Sequence, residues 1–122
     1  MVRIVAIAAA ALAAAAAFAF ADQGDKAGSC DGGTMQMIEC LEKQRVYWDK
    51  KLNEAYKELL GTAQPEQKAA LRKAQRAWLT FRDRNCLYYA MGEGSIARIS
   101  AALCMRDMTE TRANELDKDP YQ

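Results

Sequence analysis

Histidine is absent from the 122 residues, proline occurs twice and glycine seven times. Without imidazole the chain lacks the usual general base at neutral pH and the commonest metal ligand. A zinc site would have to be built from cysteine alone, and no Cys-x2-Cys pair is present to begin one. Gly-x-Ser-x-Gly, a phosphate-cradling glycine loop and a haem attachment motif are also missing. Neither catalysis nor a bound cofactor or metal is expected. The chain also has no surplus of one charge, with 17 Lys and Arg against 16 Asp and Glu. Phosphate binding needs a cationic excess to release counterions, so nucleic acid is not an expected partner. Locally the balance varies: Cys40 to Cys86 is basic, and Asp22 to Glu39 and Leu87 to Gln122 are acidic. A compact fold would let these neutralise one another.

The one long apolar run lies at the start of the chain. Arg3 precedes an uninterrupted stretch from Ile4 to Ala17, and Ala19-Phe20-Ala21 before Asp22 has the small-x-small pattern of a cleavage site. Residues 1–21 are therefore expected to be a cleaved secretory leader. Poly-alanine is weakly hydrophobic and no stop-transfer flank follows, so no stable membrane anchor is expected after cleavage. Lipid anchoring would need an apolar box directly before a cysteine, whereas Cys30 follows Lys26-Ala27-Gly28-Ser29. The expected destination is the periplasm or the medium.

Strand-like alternation is missing throughout, and what remains is helical periodicity. Residues 22–33 are polar and glycine-bearing and are expected to be a flexible start, with Thr34 as a cap. From Met35 to Leu60, Met37, Ile38, Leu41, Trp48, Leu52, Ala55, Tyr56 and Leu59 recur at three- and four-residue spacing, predicting an amphipathic helix ended by Gly61. Pro65 suits the first position of a second helix, whose stripe would be Leu71, Ala74, Trp78, Phe81 and Tyr88, with Gly92 as a left-handed stop. Ser95 is expected to cap a third helix with Ile96, Ile99, Leu103, Met108 and Leu116 inward. The two connections are short, which implies antiparallel neighbours. The expected fold is all-α: an antiparallel three-helix bundle over 34–118, followed by a tail, 119–122.

Cys30, Cys40, Cys86 and Cys104 most simply form two disulfides in an exported chain, with three possible connectivities. Counted from a turn near Ala63, Cys40 and Cys86 lie level on antiparallel helices, which would leave Cys30 for Cys104. Pairing Cys30 with Cys86 and Cys40 with Cys104 divides the offset more evenly. Both alternatives would tie the first helix to the other two.

The run Leu71-Arg72-Lys73-Ala74-Gln75-Arg76-Ala77-Trp78-Leu79-Thr80-Phe81-Arg82-Asp83-Arg84-Asn85-Cys86 resembles the signature of the LprI-like lysozyme-inhibitor family of exported bacterial proteins. The resemblance extends to Leu52-Asn53-x-x-Tyr56, to a glycine-serine turn at Gly94-Ser95, to Cys104, and to Thr109-x-x-Arg112-x-x-x-Leu116. It covers the chain from Cys30 to Leu116. Two features depart from the pattern: the turn Gly92-Glu93-Gly94-Ser95 separates glycines that the family often has adjacent, and the lipid signal of the founding inhibitor is missing.

The resemblance implies an exported helical domain whose partner is a lysozyme-type protein. Such an enzyme works with two carboxyl groups in a cleft, so an inhibitor must place a cation, a hydroxyl or a tight turn against them. Gly92, Glu93, Gly94 and Ser95 are the candidate contact, with Asp107 and Glu110 as acidic neighbours able to steer a basic enzyme. Among the motif residues, Trp78 is expected in the core beside Leu71 and Phe81. Gln75, Arg82, Asp83, Asn53 and Arg112 are expected to pin helix register by hydrogen bonding. Arg82 and Asp83, adjacent on one helix, are expected to reach other helices rather than each other. The alternative is a non-inhibitory binding module for another envelope component, using the basic Cys40 to Cys86 region.

Overall fold

The computed structural model describes residues 28–119. The leader expected at 1–21 lies outside them, as do 22–27 and 120–122. Three α-helices make up nearly all of the described chain, and no strand occurs among the described residues. They are α1 (Thr34–Thr62), α2 (Pro65–Ala90) and α3 (Gly94–Lys118).

The helix ends show which residues do the capping. Gly33, not Thr34, is the N-cap of α1: its extended backbone lets its N–H donate to Gln36 Oε1 at 2.7 Å and its carbonyl accept from Met37 N–H at 3.0 Å. Thr34 is the first helical residue. Gly61 does not end α1, because one glycine costs only about 1 kcal/mol inside a helix. The chain continues to Thr62, whose hydroxyl donates back to Leu59 O at 3.3 Å. Gln64 then caps α2, with Pro65 at its first position, where a missing N–H is harmless.

The helices form a bundle in which α3 is the common partner. Pairs across α2 and α3 show the direction: Cys86 joins Cys104, Arg82 reaches Thr109 and Gln75 meets Arg112, so rising numbers on one helix meet falling numbers on the other. These two helices are antiparallel. Between α1 and α3 the order is parallel, with Leu41 near Ile99 and Leu103, and Trp48, Leu52 and Ala55 in one cluster with Ala113 and Leu116. Helices α1 and α2, though consecutive, scarcely approach each other. The core lies toward the α1–α2 turn, where Tyr47, Tyr56, Leu59, Leu71 and Trp78 cover that cluster.

The stripe expected on α2 is rotated. Its buried residues are Gln75, Arg82 and Cys86, and Ala74, Phe81 and Tyr88 are exposed. On α3 the buried set is Ala97, Thr109, Ala113 and Leu116, with Ile96 and Leu103 exposed. The space between α2 and α3 is thus filled largely by small and polar groups that bond across it, and Phe81, Tyr88, Ile96 and Leu103 stand outside it. Phe81, 60% exposed, gives a direct check. Phe81→Ser should change the unfolding free energy by no more than about 0.5 kcal/mol in a denaturant titration; a loss of several times that would restore Phe81 to the core.

The disulfides take the third connectivity. Cys30 is bonded to Cys40 and Cys86 to Cys104. Neither bridge ties α1 to the α2–α3 pair, contrary to both pairings favoured by level counting. The first closes the segment before α1 onto that helix, helped by buried Gln44, whose amide donates to Gly28 O at 2.7 Å. The second closes the α2–α3 hairpin.

Candidate functional site

The turn between α2 and α3 is built by backbone. α2 finishes with Met91 still in right-handed geometry, its N–H donating to Leu87 O at 3.0 Å, and Gly92 N–H follows to Tyr89 O at 3.3 Å. The left-handed residue is Gly94, at φ +73°, and not Gly92. Gly92 serves a different need: a Cβ there would stand 3.3 Å from the Cβ of buried Ala97, so glycine lets the turn close on α3. Glu93, with extended backbone, is the N-cap of α3, and Ser95 lies inside the first turn of that helix without making a capping bond. The Glu93 carboxylate and Ser95 hydroxyl therefore stand at the surface.

Behind the turn, α2 and α3 are joined by a covalent bridge and by side-chain hydrogen bonds from Asn85, Arg82 and Gln75. Cys86 is buried, and both disulfide sulfurs lie 3.8 Å from Met108 Sδ, which accepts from Asn85 Nδ2 at 3.3 Å. One turn further along, the Arg82 guanidinium donates from Nη1 to Thr109 Oγ1 at 3.3 Å, and Thr109, fully buried, donates in turn to Met105 O at 2.6 Å. The same guanidinium lies 5.2 Å from the centre of the Trp78 ring. It also donates from Nε and Nη2 to Asp83 Oδ1 at 3.0 and 2.9 Å. That pairing corrects the expectation that Arg82 and Asp83 turn away from each other: the long arginine side chain folds back across the helix surface to its neighbour. Gln75 Oε1 accepts from Arg112 Nε at 3.2 Å, and Arg112 also meets Glu115 at 3.0 Å.

The remaining motif residues have other surroundings. Leu52 and Leu116 are in the core, and Tyr56 and Trp78 are half-buried against it. Asn53 is exposed and, among the described residues, its side chain bonds along its own helix, to Asp49 at 3.4 Å. Asp107 and Glu110 are both engaged by Arg106, at 3.0 and 3.3 Å, which offsets the acidity expected of that face.

Because α1 and α2 diverge, a groove of about 560 Å³ opens between them over Ala101, Ala102 and Met105 of α3. Glu42 and Arg45 form one wall, and Arg82, Asp83 and Leu87 the other. The Arg45 guanidinium holds the Glu42 carboxyl below the usual carboxylate range. Arg45 is raised in turn, first by its bond to Glu42 and further by Asp49 and by Asp83 across the groove. These walls are internally neutralised. Among the described residues no cluster of His, Cys, Asp and Glu is arranged to hold a metal ion, and all described cysteines are oxidised and hence carry no nucleophilic thiolate.

Hydrophobic periodicity overlooked what lies around the turn. Tyr88, Met91 and Ile96, which flank the turn in the sequence, are all exposed, as is the cation Arg98. The signal was present in the sequence as an excess of apolar residues at the end of α2, more than one helical stripe can bury.

The two disulfides place the chain outside a reducing compartment, and no described helix is long and apolar enough to cross a membrane. No curated protein and no solved structure matches the chain. A family model described as lysozyme inhibitor LprI matches residues 25–116, which takes in α1, α2, all but the last two residues of α3, both disulfides and the α2–α3 turn. The chain belongs to the LprI lysozyme inhibitor family.

Proposed function

We propose that this protein is exported and inhibits a lysozyme-type muramidase by inserting the α2–α3 turn into the enzyme's cleft. The observation that carries the reading is the turn itself: an exposed Gly92-Glu93-Gly94-Ser95 segment held by a disulfide between the two helices that present it. Family membership supports the choice of partner. A lysozyme cleft holds a pair of carboxyl groups a few ångströms apart, and a rigid turn is a suitable shape to block the space between them. The protein acts by occupancy and has no catalytic residues of its own. Preorganisation matters here, because a loop already fixed in its bound form loses little entropy on binding.

The test is a titration of the oxidised protein, purified from an exporting host, into a lysozyme turnover assay. Saturable inhibition at one-to-one stoichiometry is the expected result. Replacing both Glu93 and Ser95 by alanine should weaken it while leaving the melting temperature unchanged, since neither side chain makes a capping bond. Undiminished inhibition by that variant would remove the turn from the mechanism, and no inhibition by the unaltered protein would end the proposal.

A further inference from the structure

The bridge between Cys86 and Cys104 spans a sequence separation of 18, so 17 residues, 87–103, lie within the closed loop. Those residues contribute almost nothing to the core. Ala97 is their one buried apolar member, whereas six of the ten large apolar residues exposed along the described chain belong to them. Tyr88 is 74% exposed, Met91 77% and Ile96 67%. Scattered apolar surface needs no explanation, but a concentration of it marks a contact surface, and tyrosine and methionine are among the residues enriched at protein interfaces.

The loop contains one cation, Arg98, and one anion, Glu93. Arg45, Arg82, Arg106 and Arg112 each hold a carboxylate within 4 Å, whereas Arg98, like Arg72, Arg76 and Arg84 on α2, is exposed and makes no ion pair among the described residues; of these four it alone lies within the closed loop. It is a charge that the bundle does not use.

We propose that the loop closed by Cys86–Cys104 is a single binding module: Tyr88, Met91 and Ile96 form an apolar collar around the Gly92–Ser95 turn, and Arg98 is the cation that meets the cleft carboxylates of a lysozyme-type enzyme. The inference rests on the inhibitory reading above and names the surface and charge through which it works. The committed occupant is a concave, carboxylate-bearing cleft with an apolar rim. Charge complementarity selects it: Arg98 opposes the two carboxyl groups such an enzyme needs for glycoside cleavage, and the collar supplies the desolvating ring that surrounds an effective interface anchor. The disulfide and the Arg82–Thr109 crossing hold collar, turn and cation in one arrangement before contact.

Inhibition constants for the full protein against lysozyme test the assignment, alongside Arg98→Glu, the triple variant Tyr88→Ser/Met91→Ser/Ile96→Ser, Arg98→Lys and a control, Lys57→Glu, on the exposed surface of α1. Each variant is checked by thermal melting and sedimentation. Arg98→Glu and the triple variant should each raise the inhibition constant about tenfold or more, Arg98→Lys should keep most of the activity, and the control should match the unaltered protein, with all melting alike. If the unaltered protein inhibits and both loop variants inhibit equally well, the module is overturned while the inhibitory reading stands. If the unaltered protein does not inhibit, both fall. A concentration-dependent dimer abolished by the triple variant would assign the collar to a second copy of this chain and overturn the proposal.

Discussion

Leu52→Ala is expected to lower the unfolding free energy by about 3 kcal/mol, within the range of about 2–5 kcal/mol for large-to-small changes in a packed core. The side chain is 2% exposed and sits among Trp48, Ala55, Ala113 and Leu116. Its neighbours are poorly able to collapse into the space left behind. Ala55 and Ala113 have no longer side chain to extend, and Trp48 is held against Tyr47 in an edge contact at 5.2 Å. The removed atoms lose both their transfer free energy and their contacts. For a domain of this size such a loss lowers the melting temperature by roughly 10–20 °C. Thermal unfolding of the oxidised protein reads it directly, and a shift of only one or two degrees would mean that the three helices do not meet at Leu52.

Loss of the Cys86–Cys104 bridge should have an effect of similar size and a separate functional consequence. Closing a loop of this length stabilises the folded state by about 3 kcal/mol in the chain-entropy model, and Cys86→Ser adds the cost of a hydroxyl at a site only 3% exposed. The double serine variant should therefore melt well below the unaltered protein, yet remain helical at low temperature because the α1–α3 core contains neither cysteine. The connectivity is checked first by trypsin digestion without reductant. No lysine or arginine lies between Cys30 and Cys40, so Ala27 to Lys43 should appear as one peptide, lighter than its dithiol by the lost hydrogens. Cleavage after Arg98 should leave Asn85 to Arg98 joined to Ile99 to Arg106. A bond from the Ala27 to Lys43 peptide to either of these would contradict the fold described.

The sequence shows most of the fold where burial and hydrophobicity coincide. On α1 they do: Leu41, Trp48, Leu52 and Ala55 were readable from spacing and are buried. On α2 they separate, because Gln75 and Arg82 are buried by bonding to Arg112 and Thr109 on α3. Periodicity cannot show such an interior, since it scores a buried arginine as surface. It moved the stripe to Phe81 and Tyr88, which lie beside the true contact face. The disulfide expectation failed for a related reason. Counting outward from the first turn places Cys40 and Cys86 at one level, but α1 and α2 diverge, and a shared level is not a shared face. Counting from the second turn instead makes Cys86 and Cys104 symmetric about Ser95, and those helices do touch. The candidate turn was visible from its glycines, although it is Gly94 that takes the left-handed backbone. Arg98 was not, because only the structure shows which cations are already paired.

Hydrogen–deuterium exchange on the oxidised protein, alone and saturated with lysozyme, tests the central claim most directly. The inhibitory account predicts that protection on binding is confined to residues 87–98, around the turn, with α1 unchanged. Protection concentrated on α1 or on the basic surface between Cys40 and Cys86, or none at saturating enzyme, would contradict it.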